Sequence, residues 1–153
     1  YHWGYSPIVR FAMLERLIYQ SKASQDFGTL HLFNLLTEAR QRNQRLGITG
    51  HLLYLDGQFT QCIEGRSASI DALWESLLRD VRHHDIELLA RFSITERRFP
   101  EWTMAFSSYA SFYVHGMTGF FPIDAQTESP LAAMCAGEPG SESTVPEQAD
   151  LVA

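Results

Sequence analysis

Asp56-Gly57-Gln58-Phe59-Thr60-Gln61-Cys62-Ile63-Glu64-Gly65 reads as a tight turn at Asp56-Gly57, a short strand, and a second turn at Glu64-Gly65 that leads into a helix. Side chains alternate across a strand, so Phe59, Gln61 and Ile63 share one face while Gln58, Thr60 and Cys62 take the other. Gln61 is thereby flanked by two apolar residues on a face that should be buried. A buried primary amide is costly unless its carbonyl and both N–H groups find partners, and those partners differ between its two orientations. Gln61 is either a core glutamine tied to backbone or a polar group that waits for a polar ligand.

Upstream, residues 48–55 (Ile-Thr-Gly-His-Leu-Leu-Tyr-Leu) form a strand joined to this one through Asp56-Gly57, a strong hairpin signal. Downstream, Ile70, Leu73, Trp74, Leu77 and Val81 recur at helical spacing and predict a helix over residues 68–82, with Ser67 as its candidate cap. Residues 87–95 then read as a strand, and Trp102, Met104 and Phe106 alternate on a short final one. Toward the N-terminus, residues 14–21 predict a first strand with Leu17, Tyr19 and Ser21 on one face. Leu30, Phe33, Leu36 and Ala39, with Leu32 and Leu35 beside them, predict a helix over residues 30–43, capped by Thr29 and followed by Gly47. The order is β1-α1-β2-β3-α2-β4-β5. Two helices with apolar faces to cover, set against one sheet, predict an α+β fold, a two-layer sandwich of the ferredoxin-like kind.

This domain is expected to span residues 13–106. Residues 1–12 read as an N-terminal extension, with Met13 a candidate start. Residues 107–136 read as a C-terminal extension whose aromatic stretch, 109–121, packs on the sheet and whose residues 131–134 form a short helix. Gly, Pro, Ser and Glu dominate residues 137–153, an expected disordered acidic tail.

At 153 residues the chain suits one domain with a real core. The five acids of residues 126–153, a stretch without Lys or Arg, account for most of the net charge of −6. The remainder is nearly neutral, which argues against a basic face for nucleic acid. Cys62 and Cys135 have no metal-ligand spacing and point to a reducing compartment. Adjacent His83 and His84 do not share a helix face, so no metal site is expected there. No apolar run approaches a membrane span, and Arg10, Glu15 and Arg16 interrupt any signal-peptide core. The expected location is cytoplasmic.

The motifs Leu-Ile-Tyr-Gln-Ser (17–21), Asn43, Gly-Ile-Thr-Gly-His-Leu-Leu-Tyr (47–54), Gly-Gln-Phe-Thr-Gln-Cys-Ile-Glu-Gly (57–65), Asp80-Val81-Arg82-His83 and Glu96 to Met104 together resemble the BLUF family, the blue-light sensors using flavin. The resemblance covers roughly residues 14–106, with several spaced motifs in order. It implies a ferredoxin-like domain that holds an oxidised flavin between the two helices, usually FAD, with FMN and riboflavin as alternatives. The family's light-reactive tyrosine matches Tyr19 and its switching glutamine matches Gln61. Its flavin-bonding asparagine matches Asn43, and Asp80, Arg82 and His83 fall where the family uses the end of the second helix. Trp102 and Met104 match a fifth-strand pair associated with signal output. For the ring itself, Leu35, Leu52, Phe59, Ile70 and Leu77 are suitable apolar walls.

The resemblance implies a photoreceptor and not an enzyme, one that signals to a separate protein partner or through altered self-association. The outer sheet face bearing His51, Leu53 and Leu55, or the aromatic stretch 109–121, is the expected interface. The alternative is a light-independent protein-interaction module on the same fold. A ferredoxin-like phosphatase ranks last, because Ser21-Lys22-Ala23-Ser24 lacks the glycines that would aim backbone N–H groups at a phosphate.

Overall fold

A computed structural model describes residues 13–123. The elements are β1 (Leu14–Ala23), α1 (Thr29–Leu46), β2 (Thr49–Leu55), β3 (Gln58–Arg66), α2 (Ser67–Arg79), β4 (His83–Ile94) and β5 (Ala105–Ser107), followed by a 3-10 turn at Ala110–Phe112. The sheet order is β4-β1-β3-β2-β5, antiparallel except for the parallel β2–β5 pair. The two helices lie on one face of this five-stranded sheet, and the fold is the ferredoxin-like α+β sandwich.

The hairpin forms as the sequence predicts. Asp56 and Gly57 both take positive φ, 49° and 78°, which a two-residue type I′ turn requires and which aspartate and glycine tolerate. Leu55 then pairs with Gln58 and Leu52 with Gln61. Gly50 sits where any Cβ would lie 2.1 Å from the Cys62 carbonyl oxygen, so close approach of β2 to β3 excludes a side chain there. Leu17, Tyr19, Phe59 and Ile63 face the helices and pack with Leu32, Leu36, Ile70 and Leu73 in the main core.

The structure corrects several local expectations. Glu64 and Gly65 are not a turn: they continue β3, paired with Arg16 and Glu15 of β1. The carboxylate of Glu64, fully buried, is satisfied by the Arg16 Nε–H at 2.7 Å and by the backbone N–H groups of Arg98 and Phe99 at 3.0 Å. α1 begins after Gly28, with Thr29 already helical and no side-chain cap. It runs past residue 43 to Gly47, whose φ of 69° turns its N–H back onto the Asn43 and Gln44 carbonyls. α2 stops at Arg79, short of residue 82, because the Asp80 carboxylate captures the Arg82 backbone N–H at 3.0 Å and offers the chain a local turn in place of another helical bond. β4 accordingly starts early, at His83.

β5 holds only Ala105–Ser107, so Trp102 and Met104 precede the strand. The Thr103 and Met104 carbonyls are taken by α1 side chains, Asn43 Nδ2–H at 2.7 Å and Arg40 Nε–H at 2.8 Å, instead of by a sheet ladder. Residues 119–123 then run alongside β5: the Phe106 N–H donates to the Gly119 carbonyl and the Phe121 N–H to the Phe106 carbonyl.

The outer sheet face is covered over His51 and Leu53, whereas Leu55 is only partly buried. His51 and Leu53 are buried, and Ile18, Leu53 and Cys62 pack against Phe99 and Ile123. The chain that follows β4 and β5 folds over the face that sequence parity left bare. The expected helix at 131–134 and the segments 1–12 and 137–153 lie outside the described residues, as does Cys135.

Burial lowers the pKa of His51 to about 4, and its Nε2 lies 2.7 Å from the Ser107 hydroxyl. The unfolded chain takes up this proton near pH 6.5, whereas the folded protein resists it until about pH 4. Stability from this group is complete above pH 6.5 and falls as the pH drops toward 4, by at most about 3 kcal/mol. Urea denaturation at about pH 7 and about pH 4.5 should show a steeper acid loss in the wild type than in His51→Gln, which keeps a hydrogen-bonding group but cannot titrate. Equal acid loss in both proteins would contradict the assignment.

Candidate functional site

β1 and β3 run antiparallel as neighbours, and Tyr19 sits directly opposite Gln61 on the helix-covered face. The Tyr19 hydroxyl donates to Gln61 Oε1. The other end of the amide, Nε2, faces the Met104 thioether at 3.5 Å. Tyr19 and Gln61 are each 3% exposed. The two orientations of this amide are therefore unequal: turning it over would set Oε1 against sulfur, which has no proton to give, while Nε2–H would require the Tyr19 oxygen to accept. Burial, partly offset by the nearby Arg42 cation, pushes the Tyr19 phenol well above its ordinary range, so it keeps its proton and acts as the donor. Its ring packs against Trp74 at 5.5 Å and His83 at 6.1 Å between centroids.

These two side chains form part of the floor of a cleft of about 490 Å³, counting its open mouth, between α1 and the end of α2. Leu35, Leu52, Phe59 and Leu77 supply apolar walls, while Glu38, Arg42, Asp80 and Arg82 supply a charged rim. Arg82 binds Asp80 at 2.7 Å and Glu38 at 3.2 Å, joining the α2–β4 connection to α1. The Arg82 hydrogen bonds hold the Asp80 carboxyl below its usual range. His83 closes one side with both ring nitrogens committed, Nε2 to the Leu77 carbonyl and Nδ1 to the Ser21 hydroxyl, each at 2.7 Å. A carbonyl only accepts, so Nε2 carries a proton and donates it to Leu77.

Of the residues singled out from sequence, the structure brings Tyr19, Gln61, Leu35, Leu52, Phe59, Leu77, Asp80, Arg82 and His83 to this cleft. Asn43 and Ile70 are not on its surface. Asn43 is fully buried and spends its Nδ2–H on the Thr103 carbonyl, and Ile70 lies in the core beneath. Met104 touches the amide of Gln61, but Trp102 stands elsewhere, its ring 6.2 Å from that of Phe121. Glu38, Ala39 and Arg42 join the lining without having been anticipated. The signal was present: Leu35, Glu38, Ala39 and Arg42 follow the i, i+3, i+4, i+7 spacing of a single helix face. Among the described residues no cluster of His, Cys, Asp and Glu has the makings of a metal site, and no helix is long and apolar enough to cross a membrane.

A family model described as sensors of blue-light using FAD matches residues 14–105. The photoactivated adenylate cyclase subunit beta of Euglena longa is 37% identical over 92 residues, which cover 60% of this chain and 11% of that protein. The blue light- and temperature-regulated antirepressor BluF of Escherichia coli is 30% identical over 86 residues, covering 56% of this chain and 21% of that protein. The chain thus spans only a small part of the length of these curated relatives. Among solved structures, the dark state of BlrB, a BLUF protein, superimposes with a TM-score of 0.61 at 37% identity, covering 64% of this chain and 74% of that one. The ground state of BlsA gives 0.61 at 36% identity, with 65% and 67% covered.

Proposed function

Given that this chain belongs to the BLUF family of flavin-binding blue-light sensors, we propose that it is a photoreceptor that signals through rearrangement of the Tyr19–Gln61–Met104 hydrogen-bond chain. The observation that carries this reading is the Gln61 amide, buried between a proton donor at one end and a thioether at the other, on the floor of a cleft. The cleft suits a planar tricyclic ring. Leu35, Leu52, Phe59 and Leu77 would bracket it, and Gln61, Arg42 and Arg82 would offer hydrogen bonds to its polar edge. FAD is the proposed form, with FMN and riboflavin as alternatives. Asn43 gives one Nδ2–H to the Thr103 carbonyl and keeps a second, but it does not line the cleft, so its contact with flavin is proposed from the family resemblance alone.

An oxidised flavin, when bound, supplies a strong one-electron oxidant under blue light. Tyr19 is the oxidisable side chain beside Gln61, and it gives up an electron with its phenolic proton and then takes both back. While the proton is away, Oε1 of Gln61 has lost its donor, and the preference that fixed the amide orientation disappears. The amide then reorients or changes tautomer. On recovery Tyr19 is chemically unchanged, but the contact to Met104 is different. Hydrogen-bond differences of about 1 kcal/mol each shift a two-state equilibrium several-fold. The changed contact biases the segment leading into β5 and, through it, a separate protein partner or self-association.

Reconstitution tests the premise of a cofactor. The purified protein, incubated with FAD, FMN and riboflavin separately and desalted, should retain one flavin with an oxidised absorption spectrum. Arg82→Ala should weaken that retention, because it removes the guanidinium that ties Asp80 to Glu38 across the rim. A protein that stays colourless with all three would favour the light-independent interaction module.

A further inference from the structure

Arg40 lies one helical turn before Asn43 and, unlike Leu35, Glu38, Ala39 and Arg42, does not line the cleft. Its side chain points toward the start of β5. The Nε–H donates to the Met104 carbonyl and Nη2–H to the Thr118 carbonyl, both at 2.8 Å. Among the described residues no carboxylate lies within ion-pair distance of this half-buried guanidinium. A half-buried cation placed on two main-chain carbonyls serves geometry, because its planar fork fixes two segments relative to each other. Gly119 adjoins it so closely that a Cβ there would lie 2.9 Å from the Trp102 ring and 3.1 Å from Arg40 Nη2. Beyond that point residues 119–123 pair with the β5 region through the Phe106, Phe121 and Ile123 amides.

The same residue therefore holds the main chain of Met104, whose sulfur faces the Gln61 amide, and the main chain where the edge segment begins. We infer that Arg40 is the positioning residue that couples the state of the Gln61 amide to the segment 118–123. The inference rests on the photoreceptor reading above. With Nε2 of Gln61 facing it, Met104 is held from both ends, by its side chain and by its carbonyl. When the amide changes, the Met104 contact is lost and the backbone that Arg40 grips shifts, carrying the Thr118 carbonyl with it. The segment 118–123 then exchanges its amide protons at a different rate in the light than in the dark.

The test uses the full chain loaded with flavin, as wild type, Arg40→Gln and Arg40→Lys. Both variants lose the two-pronged fork, and the lysine keeps the charge. The readouts are the light-minus-dark absorption shift and amide hydrogen exchange of residues 118–123 in light and in darkness. The expected result is that both variants keep the full absorption shift and the dark protection of the Phe106 amide, while the light-dependent change in exchange at 118–123 seen in the wild type is lost. Three outcomes would overturn the proposal: no light-dependent exchange there in a wild type that shifts normally, an undiminished change in both variants, or a segment already unprotected in the dark, which would make Arg40 a plain tether. A variant that loses the absorption shift would place Arg40 in the photochemistry and also overturn it. A wild type that binds flavin and shows no shift would instead bring down the photoreceptor reading itself.

Discussion

Tyr19→Phe is expected to abolish the light-induced red shift of the bound flavin, and Gln61→Ala to abolish it as well. Phenylalanine keeps the ring that packs against Trp74 and His83, so the fold and the cleft should survive. What it removes is one O–H, the donor to Gln61 Oε1. Without that group there is no phenolic proton to leave and return, and the amide has no reason to prefer one orientation before light and another after it. The cost to stability is about 1–3 kcal/mol for a buried carbonyl left without a donor. Gln61→Ala removes the switching amide itself and frees both Tyr19 and Met104 from it. Difference spectra of the flavin-loaded variants measure the effect. A normal shift in both would remove these residues from the mechanism.

The largest effect on stability is expected at Glu64. Its carboxylate is fully buried and serves the Arg16 guanidinium and two backbone N–H groups that begin the cover over the outer sheet face. Arg16 is itself only 7% exposed, with Phe92 5.4 Å from its guanidinium carbon. Glu64→Ala leaves a buried cation and two unpaired donors and should cost about 3–5 kcal/mol. Against a total of about 5–15 kcal/mol for a domain of ordinary stability, that is a large share. Removing both partners should be milder than removing one, so the Arg16→Met/Glu64→Leu double variant is expected to be more stable than Glu64→Ala alone. Urea midpoints at constant slope measure this. A Glu64→Ala midpoint near that of the wild type would contradict the buried-pair account.

The fold was legible where the chain obeys a period. The 2-residue alternation of β3, the Asp56-Gly57 turn and the helical spacing of Leu73 and Leu77 were enough to order the elements and to put Tyr19 and Gln61 on one face. What stayed hidden depends on partners far away in sequence. Glu64 looks like a turn residue until Arg16 is beside it. Met104 looks like a strand residue until Arg40 takes its carbonyl. The outer face reads as exposed because alternation gives parity but not cover, and its cover, Phe99 and Ile123, comes from stretches without periodicity. The site shows the same division. Its apolar walls and central polar pair follow from parity and resemblance, whereas the turn at Asp80, which sets Arg82 against Glu38, is a local contest between a carboxylate and the helix that composition does not decide.

The central claim is that light changes the hydrogen bonding of a flavin that stays oxidised, through Gln61. The most direct test is the light-minus-dark absorption spectrum of the flavin-loaded wild type, followed through its return in darkness. The account predicts a small red shift with the oxidised band shape kept, reversing fully without added oxidant or reductant. A flavin that binds but shows no shift, or one that bleaches to a reduced form instead, would contradict it.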